Sequence, residues 1–570
     1  MRDDRWVVVD CDQDVVERLS RECGYSRVLS RLLVNRGVTT SGEAERFLNP
    51  SIDHLHDPSL LPDLEHGVDR LLRAVTSGER IRIHGDYDVD GITGTALLVR
   101  TISALKGNVD YKLPHRRREG YDIKPESVEE AASEGVGLIV TCDCGVNACE
   151  SAKRARELGV DLIVTDHHEP PDVLPDALAV INPKRLDAAY PFPELAGVGV
   201  AFKLAQGLVR RLGLNEEAFQ TRFLDLAALG TVGDVVPLLG ENRAIVSHGL
   251  EAIPKSRKVG LQTILRATKL DGKPMTAYYL GYVIGPRLNA AGRMDDATTA
   301  LRLLLTRDET EANQLAAKME RHNAERRAEQ ERILREAMEQ AESKDLDAVR
   351  VLVLSSEEWN TGVIGVVAGK ICECYGRPAI LISRNESTGE GRGSARSNKS
   401  FDIVEGLRAC HRLLTHYGGH ALAAGLSIPL ANLDRFEEEI NAIACEAIEK
   451  EELPPKFEVE AELEAKDITR DLAASLLCLE PFGMGNPEPL FATRGLVVGQ
   501  KQRVGGGSHL RMQLLAEGEG PIKCIAFGMG EMCDSIPLGG KIDLCYTLRL
   551  DSYNGYESVQ LVGKDIRVSS

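Results

Sequence analysis

His84-Gly85-Asp86-Tyr87-Asp88-Val89-Asp90-Gly91 packs an imidazole and three carboxylates into seven residues. A β-like run, Arg80 to Ile83, precedes it, and a helical run, Ile92 to Leu105, follows. These groups therefore sit at the carboxyl end of a strand, where open α/β sheets bind their ligands. Crowded acids repel one another and lose hydration, and cations relieve both costs. Oxygen and imidazole donors together suit Mn²⁺ or Mg²⁺, with Zn²⁺ less favoured. Taken alone, the segment also reads as a solvated acidic turn flanked by glycines.

The pattern of an apolar run ending in a ligand-type residue recurs. Gly137 to Cys142 reads as a buried strand that ends at Asp143, and Asp161 to Thr165 as another that ends in Asp166-His167-His168. Between them Asn147 to Leu158 is helical, with Gly159 as its stop, so the two strands should be parallel. Leu224 to Leu229 then runs into Gly230-Thr231-Val232-Gly233-Asp234. Four such segments in one doubly wound pattern point to a binuclear metal site. Two cations roughly 3.5–4 Å apart suit phosphodiester hydrolysis: they hold phosphoryl oxygens, acidify a water and stabilise the leaving oxygen. Carboxylates offset the cations' charge, and no Ser/His/Asp nucleophile set is required.

The elements that must position these groups follow from the punctuation of the chain. Residues 1–75 read as short helices separated by Pro and Asp/Ser turns. Residues 76–300 carry the alternating β/α pattern and the metal motifs. In 301–345, Glu309 to Ser343 lacks Pro and Gly and reads as one long helix joining two lobes. Residues 346–450 form a second α/β lobe, with strands at Val351–Leu354 and Pro378–Ile382 around a helix starting near Val363. Residues 451–570 are rich in β signals, enough for a small barrel, with Asn554-Gly555 as a hairpin turn between Tyr553 and Tyr556. Basic residues cluster in three places: Arg116-Arg117-Arg118 after a strand, Arg392 and Arg396 in a glycine-rich loop, and Arg321, Arg326, Arg327, Arg332 and Arg335 on the long helix. The last set interleaves with Glu320, Glu325, Glu329, Glu331 and Glu336, which favours a solvated face with i,i+4 pairs.

His84-x-x-x-Asp88-x-Asp90, Asp143, Asp166-His167-His168 and Asp234 resemble the four motifs of DHH phosphoesterases. Gly285-Pro286-Arg287-Leu288-Asn289-Ala290-Ala291-Gly292-Arg293, Gly230 to Pro237 and Gly418-Gly419-His420-x-x-Ala423-Ala424-Gly425 narrow the resemblance to the RecJ single-stranded-DNA exonucleases. The resemblance implies two α/β lobes, DHH and DHH-associated, joined by the long helix, plus a C-terminal OB-fold barrel. It implies that His84, Asp88 and Asp143 hold one metal, that Asp90, Asp143, His167 and Asp234 hold the second, and that Asp143 bridges them. Asp143, Asp88, Asp90 and His168 become the catalytic set, His168 as a phosphate contact. Asp86 is either a further ligand or an acceptor behind the ligands. Substrate contacts are expected from His168, Arg287, Asn289, Arg293, Ser394, Arg396, Gly418, Gly419 and His420. A structured turn after Gly285-Pro286 is the plainer reading of the arginines there. Phe527, Tyr553 and Tyr556 are candidate base-stacking residues of the barrel, or parts of its packing.

Composition agrees with a large multidomain enzyme. The chain has 570 residues and a net charge of −18, which excludes a simple basic DNA-coating protein. No apolar run suits a membrane span or a signal peptide, and 13 scattered cysteines without a CxxC pair suit free thiols in a reducing cytoplasm. Cys142 and Cys144, on either side of Asp143, read as strand-end packing and not as Zn²⁺ ligands. The expected function is 5′→3′ exonucleolytic hydrolysis of single-stranded DNA to mononucleotides in repair and recombination, with two divalent cations, Mn²⁺ or Mg²⁺. Polarity and substrate come from the resemblance alone. The alternatives are a phosphodiesterase of short oligonucleotides or cyclic dinucleotides, against which the extra C-terminal domain argues, and a non-catalytic scaffold, against which the intact ligand set argues. A helicase and a single-strand-binding protein are the partners such an enzyme would meet, and the sequence identifies neither.

Overall fold

The computed structural model describes residues 5–116, 118–448, 457–515, 521–553 and 556–568. Arg117 and the Asn554-Gly555 turn lie outside the described residues, as do the side chains of Tyr553 and Tyr556. Those two residues do pair in register across their strands.

The first lobe is built on a five-stranded parallel sheet in the order Asn108–Lys112, Arg80–Gly85, Leu138–Cys142, Asp161–Thr165, Ala179–Ile181. The central strand Leu138–Cys142 is buried along its whole length, as expected of a strand covered on both faces. After Arg80–Gly85 the chain crosses to the outer strand Asn108–Lys112 and then returns to the far side of its starting strand. That reversal opens a crevice above the carboxyl ends of Arg80–Gly85 and Leu138–Cys142. Helix Val89–Ala104 rises from the crevice and is buried almost all round, between Gly197–Arg211 and Glu216–Gly233. The apolar run Leu224–Leu229 is thus helical, and Asp234 caps the carboxyl end of a helix, not of a strand.

The connecting helix, Glu309–Glu342, is 34 residues long, or about 50 Å at 1.5 Å per residue. Asp308 caps it by accepting from the Glu311 amide at 2.7 Å. Ala312, Leu315, Ala316 and Met319 belong to the first lobe's core, and Ile333, Ala337 and Ala341 to the second lobe's. One element thereby shares both cores and fixes the lobes relative to each other. Glu-Arg pairing along it follows the expected i,i+4 logic at Arg332, which meets Glu329 and Glu336.

The second lobe holds a mixed sheet in the order His416–His420, Ala423–Pro429, Glu390–Arg396, Ala379–Asn385, Leu352–Ser356. This corrects the loop expected around Arg392 and Arg396: both lie on the strand Glu390–Arg396, and Gly418-Gly419-His420 ends the strand next but one. The turn considered after Gly285-Pro286 is also corrected. A π-helical segment, Tyr279–Ile284, leads directly into helix Gly285–Met294, with Pro286 at the junction, where it has no amide to donate back to the π segment.

In the C-terminal region the strands Leu490–Val504, His509–Leu515, Ile522–Ala526, Tyr556–Val568 and Lys541–Tyr553 pair in that order, and the last pairs with the first. The result is a closed five-stranded barrel of OB topology. Phe527, just past its third strand, is 59% exposed and lies edge-on to His509.

The N-terminal helices Gln13–Cys23, Arg27–Asn35 and Ser41–Leu48 start at side-chain caps from Asp12, Ser26 and Thr40. Their apolar faces do not join the first lobe's core. Leu19, Leu29, Leu32, Leu33 and Phe47 join the barrel's core, and Trp6–Val8 pairs in parallel with Phe457–Val459. Arg243 ties this unit to the first lobe. Fully buried on helix Gly240–Ala252, it donates to the carbonyls of Phe47, Cys478, Leu479, Glu480 and Pro481 and stacks on the Phe47 ring. No carboxylate faces it in these bonds. Its replacement by alanine takes the side-chain donor from the carbonyls of Phe47, Cys478 and Glu480, while those of Leu479 and Pro481 keep Asn486, and should cost on the order of 3–5 kcal/mol in denaturant unfolding, against under about 1 kcal/mol for an exposed arginine such as Arg408.

Candidate metal centre and substrate cleft

Each acidic group is held by its own piece of backbone. Asp88 caps helix Val89–Ala104, its Oδ1 accepting from the amides of Asp90 at 3.0 Å and Gly91 at 3.1 Å. The turn is so tight that a Cβ on Gly91 would stand 2.6 Å from the Asp86 amide nitrogen. Asp90 is fully buried and accepts from the amides of Gly197 at 2.6 Å and Val198 at 2.8 Å, at the amino end of helix Gly197–Arg211. Free amides and the helix dipole there favour negative charge. Asp143 follows its strand in the left-handed region, φ 63, and a Cβ on Gly197 would come within 2.6 Å of its own Cβ. Asp166 is the organiser of the tripeptide. Its Oδ1 accepts from the His167 amide at 2.8 Å and bonds His168 Nδ1 at 2.7 Å, and its Oδ2 accepts from the Val146 amide at 2.9 Å.

These pieces converge. Ligand atoms of Asp90, His167 and Asp234 lie within 4.8 Å of one another, as do those of Asp86, Asp88 and Asp143 and those of Asp143, His167 and His168. Asp143 belongs to two of the three groups. Its Oδ1 is 3.1 Å from His167 Nε2, which is 3.5 Å from Asp234 Oδ2 and 4.0 Å from Asp90 Oδ2. His84 joins none of these groups, although it is buried at the end of the adjacent strand. The polar atoms here are poorly matched to each other. His84 Nε2, Asp86 Oδ1, Asp143 Oδ1, His167 Nε2 and Asp234 Oδ2 are all buried without a hydrogen-bond partner among the described residues. Orphaned oxygen and imidazole acceptors in this density fit divalent cations, each too hard for a thiolate site. Cys142 and Cys144 stay in the strand-end packing, where the Cys144 thiol faces the His84 carbonyl.

The electrostatics carry the same message. Burial, and then the neighbouring carboxylates, hold Asp86, Asp90 and Asp143 well above the usual carboxylate range and push Asp234 up to about 7. Burial lowers His84 and His167 to about 3, leaving both imidazoles neutral and free to ligate. His168 goes the other way: burial opposes its charge, but the Asp166 bond and carboxylate outweigh it and raise the group to about 8. A cationic imidazole at the rim is suited to phosphate. Tyr121, which sequence reasoning passed over, lies 3.0 Å from His168 Nδ1 and donates to the Asp143 carbonyl at 3.3 Å. Its one signal was position, in the loop after an outer strand of the same sheet edge.

The opposite wall is basic. Strand register puts Arg396, Ser394, Gly418 and His420 on one face of the second lobe's sheet, since His420 pairs with Ala423, Ala423 with Arg396, Gly418 with Gly425 and Gly425 with Ser394. Gly419 sits on the other face with buried Ala424 and Ala395. Beside Gly418 and Gly425 an added Cβ would meet nothing within 4 Å, so the backbone there is open to a ligand. Arg293 donates to the Gly362 carbonyl at 3.0 Å across the lobe junction. Burial and the charges of Arg116, Arg326 and Arg396 lower it to about 9, which places four guanidinium groups on one cleft. Arg326 is half-buried and bonds Asn323 and Gln330 of its own helix in place of a glutamate. Arg287 points elsewhere, into a bidentate pair with Glu320 of the connecting helix. Asn289 is half-buried on the same helix as Arg293.

Three stretches of the chain match known families. Residues 80–231 match the DHH family, N-terminal domain, residues 348–446 the DHHA1 domain, and residues 459–565 the RecJ OB domain. The chain is 36% identical over 566 residues to the single-stranded-DNA-specific exonuclease RecJ of Bacillus subtilis, covering 99% of this chain and 71% of that one. It is 35% identical to the RecJ of Dickeya dadantii, covering 94% and 95%. Among solved structures, RecJ of Thermus thermophilus in complex with Mn²⁺ superposes with a TM-score of 0.85 at 33% identity, covering 100% of this chain and 80% of that one. The same protein with Mg²⁺ gives 0.79 at 32% identity, covering 100% and 79%.

Because Asp166 raises His168, Asp166→Asn should bring its midpoint in the metal-free protein from about 8 to below the ordinary 6.5, read by NMR titration of the ring. The folded value lies above the unfolded one. The charged ring therefore stabilises the wild-type fold fully below about 6.5, and that contribution fades as pH rises through 8. The variant should lose this dependence.

Proposed function

The chain belongs to the RecJ family of single-stranded-DNA-specific exonucleases, and on that footing we propose that it degrades single-stranded DNA from the 5′ end to mononucleotides. Direction and product follow the family resemblance. The observation that carries a binuclear hydrolytic site is Asp143, shared between two ligand groups with an unpartnered oxygen aimed into them.

In this reading His84, Asp88 and Asp143 hold one divalent cation, and Asp90, Asp143, His167 and Asp234 the other. Asp86 has the position of a further ligand beside Asp88 and Asp143. Mn²⁺ or Mg²⁺ bound there supplies Lewis acidity toward the scissile phosphate and an acidified water. The chain's own residues do the rest. Asp90 is locked by two helix-end amides, so its carboxylate stays aimed. His168, cationic through Asp166 and flanked by Tyr121, offers a directed donor to the charge that develops on the phosphoryl oxygens. Arg396, Ser394 and His420 grip the phosphate from the other lobe, with the open glycine backbone between them. Arg293, with Arg116 behind it, adds positive charge to the same cleft. Arg287 is a tie to the connecting helix in the first instance. Together they offset, at the point of contact, a chain whose net charge is −18.

The barrel then serves as a single-strand grip of the OB kind, which covers roughly 4–16 nucleotides. Free thiols at all 13 cysteines fit a reducing, cytoplasmic setting, and no described helix is long and apolar enough to cross a membrane. A strand-separating helicase and a single-strand-binding protein are the partners this activity calls for in repair and recombination.

Two measurements test the reading. Asp143→Asn keeps a residue that tolerates positive φ but removes the shared charge. It should lower Mn²⁺-dependent release of nucleotides from 5′-labelled single strands by more than about 10³-fold, with the melting temperature of the metal-free protein unchanged or raised, since one repelling carboxylate is gone. Turnover within tenfold of wild type would overturn the binuclear assignment. Arg396→Ala and His420→Ala should instead each lose about 1.5–3 kcal/mol of transition-state stabilisation in kcat/KM while Mn²⁺ affinity, measured by calorimetry, stays put. A fall in metal affinity with DNA affinity unchanged would place these residues wrongly.

A further inference from the structure

Three strand ends of the first sheet deliver residues of the centre: His84, Asp143 and Asp166-His167-His168. The outer strand beside the last of them, Ala179–Ile181, delivers Asn182. Thr165 pairs with Ile181, and the Asp166 amide donates to the Ile181 carbonyl at 3.1 Å, so Asn182 stands level with the tripeptide. It is fully buried. Its Nδ2 donates to the His168 carbonyl at 2.8 Å, and its Oδ1 accepts from the Lys184 amide at 2.8 Å. The second bond spans Pro183, which has no amide to compete for it, and fixes which way the side-chain amide points.

Between His168 and that outer strand, residues 169–178 run over the surface without helix or strand, and Val173 among them is 74% exposed. His168 is thus the last residue before a surface loop, and Asn182 follows the strand that ends it. Residues at the mouth of such a loop take up its motion unless something ties them. The Asn182 bond closes the mouth from inside. Lys184 and Glu169 also meet across it, at 3.3 Å, but Glu169 is 71% exposed and the pair is a weak one. His168 has little else on that side. Its amide and its Nδ1 both bond Asp166 Oδ1, at 3.2 and 2.7 Å, so a single oxygen serves as their pivot. Tyr121 approaches the same Nδ1. The carbonyl bond from Asn182 supplies the second fixed point, which a pivot needs before it can hold a direction. Nε2 bonds none of the described residues and is the polar edge left for a substrate.

We propose that Asn182 is a positioning residue for hydrolysis, clamping the His168 main chain so that the ring's Nε2 edge stays on the scissile phosphate. It touches neither substrate nor cation and acts through His168 alone. The proposal rests on the reading of His168 as the phosphate contact of a single-strand exonuclease.

The test is a double-mutant cycle on the full chain with Mn²⁺: Asn182→Ala, His168→Ala and the two together, with degradation of a 5′-labelled single strand as the rate. Asn182→Ser is a second variant. Its hydroxyl can still accept from the Lys184 amide, which keeps the turn, but is too short to reach the His168 carbonyl. Rates are compared below the melting temperature of every variant. Asn182→Ala and Asn182→Ser should each lower kcat roughly 10- to 100-fold, with KM and the calorimetric Mn²⁺ affinity within about twofold of wild type. In the His168→Ala background, Asn182→Ala should change nothing further. In the metal-free protein, deuterium exchange over residues 166–178 should quicken roughly 2- to 10-fold in Asn182→Ala, the equivalent of one lost hydrogen bond. Losses that multiply in the double variant, a fall in Mn²⁺ affinity, or unchanged exchange would each overturn the clamp. A slow His168→Ala beside an Asn182→Ala of wild-type rate would sink the clamp alone. A His168→Ala of wild-type rate would instead sink the reading of His168 as the phosphate contact, and the clamp with it.

Discussion

Repulsion among buried carboxylates is the constraint around which the first lobe is arranged. Asp86, Asp90 and Asp143 are buried within reach of Asp88 and Asp234, and each neighbour makes ionisation of the others harder. A fold left to itself would spread such groups into water. Here each is pinned by a feature that cannot easily relax: a cap on a buried helix for Asp88, two helix-end amides for Asp90, a left-handed residue for Asp143, a helix carboxyl end for Asp234. The last is itself unfavourable for an anion, because the helix dipole is negative at that end. The site is stiff and under-neutralised by the chain itself, and that stored repulsion would favour divalent cations there.

The second lobe complements the first in sign. Its sheet presents Arg396 and His420, and the junction adds Arg293 and Arg326, so an anionic wall and a cationic wall face one cleft. Such an arrangement works only at a fixed spacing. The connecting helix supplies it, since its amino half is part of one core and its carboxyl half part of the other. Arg293, bonded to the Gly362 carbonyl, closes the junction from the cleft side.

Much of this was legible in the chain. Parallel strands, the helix stop at Gly159, the long helix and the convergence of Asp88, Asp143 and His167 could be read because strand-end chemistry is local: a buried apolar run and the residue after it occupy adjacent positions. What escaped was of two kinds. Backbone state at glycine-rich words was misjudged, since Gly391 to Arg396 looks like a loop by composition but pairs on both sides as a strand whose small residues leave a flat face. The other kind was non-local. Tyr121 stands in no motif of the sequence and meets His168 only through the fold. Arg326 follows the same charge pattern as Arg332, yet it bonds Asn323 and Gln330 and adds its charge near Arg293, while Arg332 pairs with glutamates. Nor does any local signal say that the first helices complete the barrel's core, which is why cutting the chain near residue 450 would uncover their apolar faces as well as remove the barrel.

That last contact bears on how the protein is made. Arg36 meets Glu460 and Asn486, with about 450 residues between the latter pair, and the apolar faces of the first three helices stay uncovered until the barrel exists. At ordinary rates of synthesis, 5–20 residues per second, that interval is roughly 20–90 s. Throughout it the nascent chain carries an open hydrophobic surface on these helices. The first lobe can close long before, but the helices find their core only once the barrel has been made, which makes them a segment in need of shelter.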